Sequence, residues 1–153
     1  MKKAFLLPLL GLALAVVHGR ALAADPLVDV NRPFEEQRST ILVELNDGKT
    51  YAEISADDRR RVVSSLNRIS GLLDNREASE LPEATRVEVF NEQELVNALL
   101  AGAREDSRLV CKREKKTGSN RPTNNCMTVA ERRRAQEESQ AEMQKLLRRP
   151  ISP

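Results

Sequence analysis

Residues 55–73 read Ser-Ala-Asp-Asp-Arg-Arg-Arg-Val-Val-Ser-Ser-Leu-Asn-Arg-Ile-Ser-Gly-Leu-Leu, and this stretch decides the class of fold. Four of its apolar residues recur at the spacing of one helical face: Val62, Leu66, Ile69 and Leu73. Ser55 stands before the run and Asp58 follows three residues later, a variant of the capping box that begins many helices. The stretch therefore predicts an amphipathic helix, with the arginines at 59–61 on its solvated side.

A second helix is predicted upstream, between Asn31 and Gly48. Asn31 followed by Pro33 is typical of a helix start, and Gly48 suits the left-handed residue that follows a helix end. The residues in line at helical spacing are Phe34, Arg38, Ile41 and Leu45. Residues 40–43 are partly β-branched and could instead form a short strand, but the longer pattern favours a helix.

Residues 74–85 are polar and predict a loop. In residues 86–90 two valines flank a glutamate, an alternation that could form a short strand. Asn91 with Glu94 then resembles a further capping pair, so a third helix is expected to begin there. Its predicted buried residues are Leu95, Val96, Leu99 and Leu100.

The last predicted helix opens at Thr128, whose capping partner is Glu131, and runs to about Arg148. Between residues 130 and 142 its only apolar residues are alanines. Its apolar cluster comes at the end: Met143, Leu146 and Leu147. We therefore expect this helix to dock near its end and to face water elsewhere.

Together these elements predict a mainly α fold, a single small helical domain of about four helices over residues 24–153. Residues 107–126 would form one disulfide-closed loop, residues 128–148 a charged C-terminal helix and residues 149–153 a frayed tail. A short strand pair is compatible with this plan.

The N-terminus predicts export. Two lysines precede an apolar run over residues 4–17, and Ala21-Leu22-Ala23 matches the A-x-A pattern of a cleavage site. A membrane span needs roughly 20 apolar residues, and this run is shorter and contains Pro8. Residues 1–23 are therefore predicted to be a cleaved signal peptide, and the mature protein to be periplasmic or secreted.

Charge and core-forming residues are divided unevenly along the mature chain. Residues 24–106 hold 10 bases and 18 acids, whereas residues 107–153 hold 12 bases and 5 acids. Leu, Ile, Val and Phe number 23 in residues 24–100 but only 6 in residues 101–153. The basic half cannot build a core alone. Its charge either attracts the acidic half or serves an anionic partner.

Cys111 and Cys126 are predicted to form a structural disulfide, because two cysteines in an exported chain usually pair. Two thiolates without histidine do not complete a zinc site, and a redox pair is more often spaced C-x-x-C. A two-residue hairpin turn at Gly118-Ser119 is attractive, but it would place Pro122 at a hydrogen-bonded position opposite Lys115. A wider, irregular loop is the favoured prediction.

Several segments of the chain are similar to a group of small exported proteins of Xanthomonas-type gammaproteobacteria. The segments that carry the resemblance are Phe90 to Glu94, Glu105 to Glu114, Gly118-Ser119, Cys126 and Thr128 to Arg133. The likeness covers about residues 86–135 and is weaker over 51–73. It implies an exported location and a two-cysteine module with a Gly-Ser loop, and it supplies no mechanism.

Catalysis is not predicted. His18 leaves with the signal peptide, so nucleophile systems that depend on histidine cannot form in the mature chain. No carboxylate pair stands in a motif, and no phosphate-binding Walker pattern occurs. Neither a metal nor a cofactor is expected. Nucleic acid is not an expected partner either, because the basic half contains no aromatic residue on which bases could stack.

The sequence therefore predicts a small non-catalytic exported protein with a protein–protein interaction or accessory role. The alternative is an envelope module that binds an anionic partner, such as an acidic protein, a cell-wall polymer or lipid head groups, through its basic half. The residues proposed for that contact are Lys112, Arg113, Lys115, Lys116, Arg121, Arg132, Arg133 and Arg134.

Overall fold

The computed structural model describes residues 27–115 and 117–148. The predicted signal peptide, the predicted frayed tail and Lys116 lie outside the described residues. The elements, in chain order, are α1 (Phe34–Asn46), α2 (Ala56–Leu73), a 3₁₀ turn (Ala78–Glu80), α3 (Glu83–Ser107), β1 (Leu109–Lys115), β2 (Pro122–Thr128) and α4 (Val129–Leu147). The mainly α class, with four helices and one strand pair in these residues, confirms the predicted fold class.

Helix α2 forms as its sequence predicts. The Ser55 side chain accepts a hydrogen bond from the backbone N–H of Asp58 at 3.0 Å, which satisfies one of the unpaired amides of the first turn. The predicted stripe is buried: Val62, Leu66, Ile69 and Leu73. This stripe packs against α3, and the two helices form the centre of the core.

Helix α1 also confirms its prediction, and residues 40–43 are helical rather than extended. Phe34, Ile41 and Leu45 are buried against the core. Gly48 follows the helix end with φ of 66°, the left-handed conformation expected of a glycine there.

Helix α3 corrects two predictions. Residues 86–90 are not a strand, and Asn91 does not begin a helix, because one helix runs without a break from Glu83 to Ser107. Its buried residues keep helical spacing throughout: Val89, Gln93, Val96, Leu100 and Ala103. This pattern extends over fifteen residues, from Val89 to Ala103, and outweighs the alternation of two valines.

The segment before α1 is held firmly against the body of the protein. Val28 and Val30 are buried in the core at 0% and 3% exposure. The Val28 N–H donates to Asn97 Oδ1 at 2.8 Å, and Asn97 Nδ2 donates back to the Val28 carbonyl at 3.0 Å. The Val30 N–H donates to Gln93 Oε1 at 2.7 Å. Two amide side chains of α3 therefore bind this backbone as a neighbouring strand would.

Strands β1 and β2 form an antiparallel hairpin in which Cys111 is opposite Cys126 and Lys115 opposite Pro122. The sequence argument against this register assumed that Lys115 and Pro122 form a hydrogen-bonded pair. Instead, the Val129 N–H donates to the Arg108 carbonyl at 3.0 Å. Hydrogen-bonded and non-bonded pairs alternate from there, which makes Lys115–Pro122 a non-bonded pair. Pro122 therefore loses no ladder hydrogen bond.

Helix α4 begins with the predicted capping box. Thr128 Oγ1 accepts from the Glu131 N–H at 3.0 Å, and the Glu131 carboxylate accepts from the Thr128 N–H at 2.8 Å. The prediction that the helix docks near its end is wrong, because its one buried residue is Ala130 in the first turn. Three apolar residues near its end are exposed: Met143, Leu146 and Leu147.

The geometry of the helix explains this reversal. Successive residues of an α-helix are rotated by about 100°. Met143 and Leu146 are consequently turned by about 140° and 160° from Ala130, the side that the first turn places against the body of the protein. The capping box and the neighbouring hairpin fix the first turn, so the terminal apolar residues cannot reach the core.

Candidate functional site

The β1–β2 hairpin is an exposed element that carries predicted site residues. The predicted disulfide joins Cys111 to Cys126 across the middle of the ladder, where the two Cα atoms are 4.0 Å apart. Both cysteines are exposed, so the bond braces the ribbon without contributing to the core. A two-stranded hairpin alone is marginally stable in water, and the covalent link across it supplies the missing constraint.

The cations of the hairpin point to solvent. The four that the structure describes are exposed: Lys112, Arg113, Lys115 and Arg121. Residues on a strand alternate between its two faces, so Arg113 and Lys115 share the face of the disulfide, whereas Lys112 lies on the other. Within residues 27–115 and 117–148, no acid forms a salt bridge with any of the four.

Glu114 is the one acid of the hairpin and is flanked in the sequence by Arg113 and Lys115. Its Oε2 atom accepts a hydrogen bond of 3.3 Å from Asn125 Nδ2 on the opposite strand. Among the described residues, this carboxylate is therefore held by an amide and forms no salt bridge with the hairpin cations.

The three arginines of α4 behave differently, because all of them bind within the protein. Arg132 donates to the Val110 carbonyl at 3.1 Å. Arg133 forms two hydrogen bonds of 2.9 and 3.0 Å to the two carboxylate oxygens of Asp106. Arg134 donates to Glu53 Oε2 at 2.9 Å. The residues proposed from sequence thus separate into two groups. The three arginines of α4 bind partners within the protein, whereas the four described cations of the hairpin do not form salt bridges. The eighth residue, Lys116, lies outside the described residues.

The pKa shifts at the contacts of the α4 arginines are those expected of stable salt bridges. The hydrogen bond from Arg133 lowers the pKa of Asp106. The hydrogen bonds from Arg134 and then Thr128 lower the pKa of Glu53. The pKa values of both arginines are raised by the same contacts. Each partner therefore stays charged over the neutral range, which suits a permanent contact better than a proton-transfer site.

Sequence reasoning did not single out Glu53, Asp106 or Ser107 as parts of this contact. Glu53 also receives a hydrogen bond of 2.7 Å from Thr128 Oγ1, and its own N–H donates to Ser107 Oγ at 2.9 Å. These partners lie 75 and 54 positions away in the chain. The sequence indicated only that the two halves of the chain carry opposite charge, and it did not indicate which residues pair.

Two surface clefts lie away from the hairpin. The smaller, of about 280 Å³, is lined by Leu27, Ile41, Tyr51 and Arg104, among other residues. Burial raises the pKa of Tyr51, and the Arg104 guanidinium carbon lies 5.8 Å from the centre of the ring. The larger, of about 590 Å³, lies between Phe34 and the 3₁₀ turn.

Neither cleft gathers the residue types of a recognisable reaction. In the described ranges no group of three or more His, Cys, Asp or Glu residues is arranged to hold a metal ion. None of the helices in the same ranges is both long enough and apolar enough to cross a membrane.

No protein-family model, curated protein or solved structure matches this chain. The resemblance to small exported proteins therefore stays a prediction from the residues quoted above. The disulfide does indicate a compartment: such bonds form and persist in oxidising environments outside the cytoplasm. The fold and site define a small, mainly α protein with a disulfide-braced cationic hairpin.

Proposed function

We propose that the mature chain is a non-catalytic protein of the periplasm or the secreted fraction that acts by binding a partner protein, and that the hairpin is its binding element. One observation carries the proposal: four exposed cations stand on a covalently braced ribbon without an acidic partner in the described residues. A fixed ribbon loses little conformational freedom on binding, which favours recognition.

The proposed partner presents an acidic surface to Lys112, Arg113, Lys115 and Arg121. Complementary charge speeds encounter and excludes partners of like charge more than it adds affinity. The acidic body of the protein does not fulfil this role, because within the described residues none of its acids forms a salt bridge with these four cations. A cell-wall polymer would be the second candidate, since its charge could be read by the same cations.

A non-catalytic role is supported by the direction of the pKa shifts. A carboxyl that acts as a general acid near neutral pH needs a raised pKa. The carboxyls of Glu53, Glu105 and Asp106 are shifted in the opposite direction, each chiefly by a hydrogen bond from an arginine. These acids therefore fit salt bridges better than acid–base chemistry.

The test is a crosslinking pull-down from the periplasmic and secreted fractions with two variants of equal charge change. The first replaces Lys112, Arg113, Lys115 and Arg121 with glutamine. The matched control replaces four exposed cations of the acidic half: Arg32, Lys49, Arg60 and Arg61. We expect capture of an acidic protein to be lost in the hairpin variant, retained in the control and weakened by salt.

Equal capture by both variants would refute the hairpin as the binding element. If the protein binds purified cell-wall polymer and captures no protein, the partner is the polymer and not an acidic protein. Export itself is tested by the mass of the purified protein, which should begin at Ala24. An intact form beginning at Met1 in the membrane fraction would contradict export with cleavage.

A further inference from the structure

The far end of α4 presents an apolar cluster that nothing in the described residues covers. Met143, Leu146 and Leu147 are 60%, 56% and 79% exposed. Other exposed large apolar residues, such as Val43 and Val87, stand on α1 and α3, which are held in the core by their buried stripes. The terminal cluster differs because the helix that carries it is held only by its first turns.

The same segment is uniformly cationic. Residues 143–149 read Met-Gln-Lys-Leu-Leu-Arg-Arg and contain three bases and no acid. Lys145 and Arg148 are exposed beside the apolar cluster. Apolar side chains flanked by basic ones at an exposed helix end can enter the interface of an anionic membrane while the bases stay among the head groups. Each basic residue near such a surface adds to the attraction.

We infer that the end of α4, residues 143–148, docks on the surface of a bilayer that contains anionic phospholipid. Leu146, Leu147 and Met143 enter the boundary between head groups and acyl chains, while Lys145 and Arg148 contact lipid phosphates. The helix lies on the membrane and does not cross it. This contact is separate from the hairpin and does not depend on the proposed protein partner.

A second copy of the chain fits this surface less well. A stable dimer interface involves about 20–30 residues on each side, and the cluster supplies three large apolar residues. A two-fold contact centred on the cluster would also bring Lys145 and Arg148 of one copy close to the same cations of the other. Anionic lipid satisfies both the apolar and the cationic residues.

The chain contains no tryptophan, so one introduced residue reports on this segment alone. The mature protein with Leu147→Trp is titrated with vesicles of phosphatidylcholine, with and without phosphatidylglycerol. We expect the emission to shift to the blue only with the anionic vesicles. Val43→Trp is the matched control, because Val43 is 69% exposed on α1, and its emission should not move.

Two further variants separate the contributions within the segment. Lys145→Gln with Arg148→Gln, in the reporter background, should weaken partitioning by about 30-fold, given the typical contribution of a cation near an anionic surface. Met143→Asn with Leu146→Asn should abolish the blue shift while leaving weak, salt-sensitive association.

Three results would overturn the inference. The first is no shift of the Leu147→Trp emission with anionic vesicles. The second is a shift that depends on protein concentration without vesicles, which would indicate self-association. The third is loss of the shift in the hairpin variant, which would make the hairpin the lipid-binding element. Retention of the shift in that variant, whatever happens to partner capture, supports a separate lipid contact.

Discussion

Glu53 joins three parts of the chain that are far apart in sequence. Its N–H donates to Ser107 at the end of α3, and its carboxylate accepts from Thr128 and Arg134 at the start of α4. The Glu53 side chain is only 14% exposed. Since the hairpin leaves the body at Ser107 and returns at Thr128, the N–H and the carboxylate of this one residue together close the base of the hairpin.

Replacing Glu53 with alanine should lower the free energy of unfolding by about 1 kcal/mol, because the partly buried Thr128 hydroxyl loses its acceptor. Urea unfolding at neutral pH measures the change. Glu138→Ala, an exposed acid on α4, is the control and should be nearly neutral. An equal effect of both variants would mean that the Glu53 contact adds nothing to stability.

The lowered pKa of Glu53 fixes the sign of a pH effect. A carboxyl whose pKa is lower in the folded state stabilises the fold above its unfolded pKa, and this stabilisation is lost as pH falls through the folded value. Unfolded Glu and Asp titrate near pH 4. We expect the difference between wild type and Glu53→Ala to be constant above about pH 5 and to shrink as the pH falls below about 4. A difference that grows on acidification would contradict the assignment.

Local chemistry made several residues predictable. The caps at Ser55 and Thr128 depend on residues three positions apart, and the disulfide was predicted from the cysteine count and the predicted signal peptide. The partners of Glu53 could not be predicted in this way, because Arg134 lies 81 positions away. Such a contact follows from the packing of α3 and not from any local pattern.

At the scale of elements, the hairpin is a satellite of the core. Its strands contribute one buried residue, Thr128, at the end where β2 meets α4. The arithmetic of loop closure gives about 3 kcal/mol for a disulfide of this loop length. That figure assumes that the loop stays ordered when the bond is removed, whereas a lone two-stranded hairpin is only marginally stable.

The variant Cys111→Ser/Cys126→Ser should therefore lose less than about 3 kcal/mol of global stability, since the hairpin regains its freedom in the folded state as well. Its hairpin should become sensitive to trypsin at Lys112, Arg113 and Lys115. Urea unfolding and limited proteolysis of both forms measure the two effects. Loss of the helical circular dichroism signal in the variant would show that the disulfide supports the whole domain.

The pairing of α2 with α3 holds the core, whereas the end of α4 does not contribute to it. Leu66→Ala should cost about 2–5 kcal/mol, because Leu66 is fully buried between elements that cannot close the cavity. Leu146→Ala is the matched control of identical chemistry and should change stability by less than about 0.5 kcal/mol. The two unfolding curves test the division directly. A large loss at Leu146 would place the end of α4 in the core.

The wrong predictions for α3 and for the end of α4 have the same cause. The valine alternation at residues 86–90 was considered over five positions, although the helical period of buried residues in α3 extends from Val89 to Ala103. The apolar end of α4 was expected to dock because apolar residues usually do, but the first turn fixes which face meets the body. Short windows contain neither kind of information.

At the scale of the molecule, the opposite charges of the two halves are partly matched within the fold. Asp106 and Glu53 belong to the acidic half, and their partners Arg133 and Arg134 belong to the basic half. The sequence offered internal attraction and external binding as alternatives. The contacts of α4 are internal attraction between the halves, whereas the exposed cations of the hairpin are accessible for external binding.

Two double variants of equal charge change distinguish these roles. Arg133→Gln with Arg134→Gln removes the bridges to Asp106 and Glu53, so the urea midpoint should fall. Arg113→Gln with Arg121→Gln changes exposed cations and should leave the midpoint unchanged. Urea is required because guanidinium would itself screen the charges. In about 1 M salt, where the screening length is about 3 Å, the loss in the first variant should shrink. Equal losses in both variants would mean that the hairpin cations also dock on the acidic half, and the hairpin would then have no surplus charge with which to bind a partner.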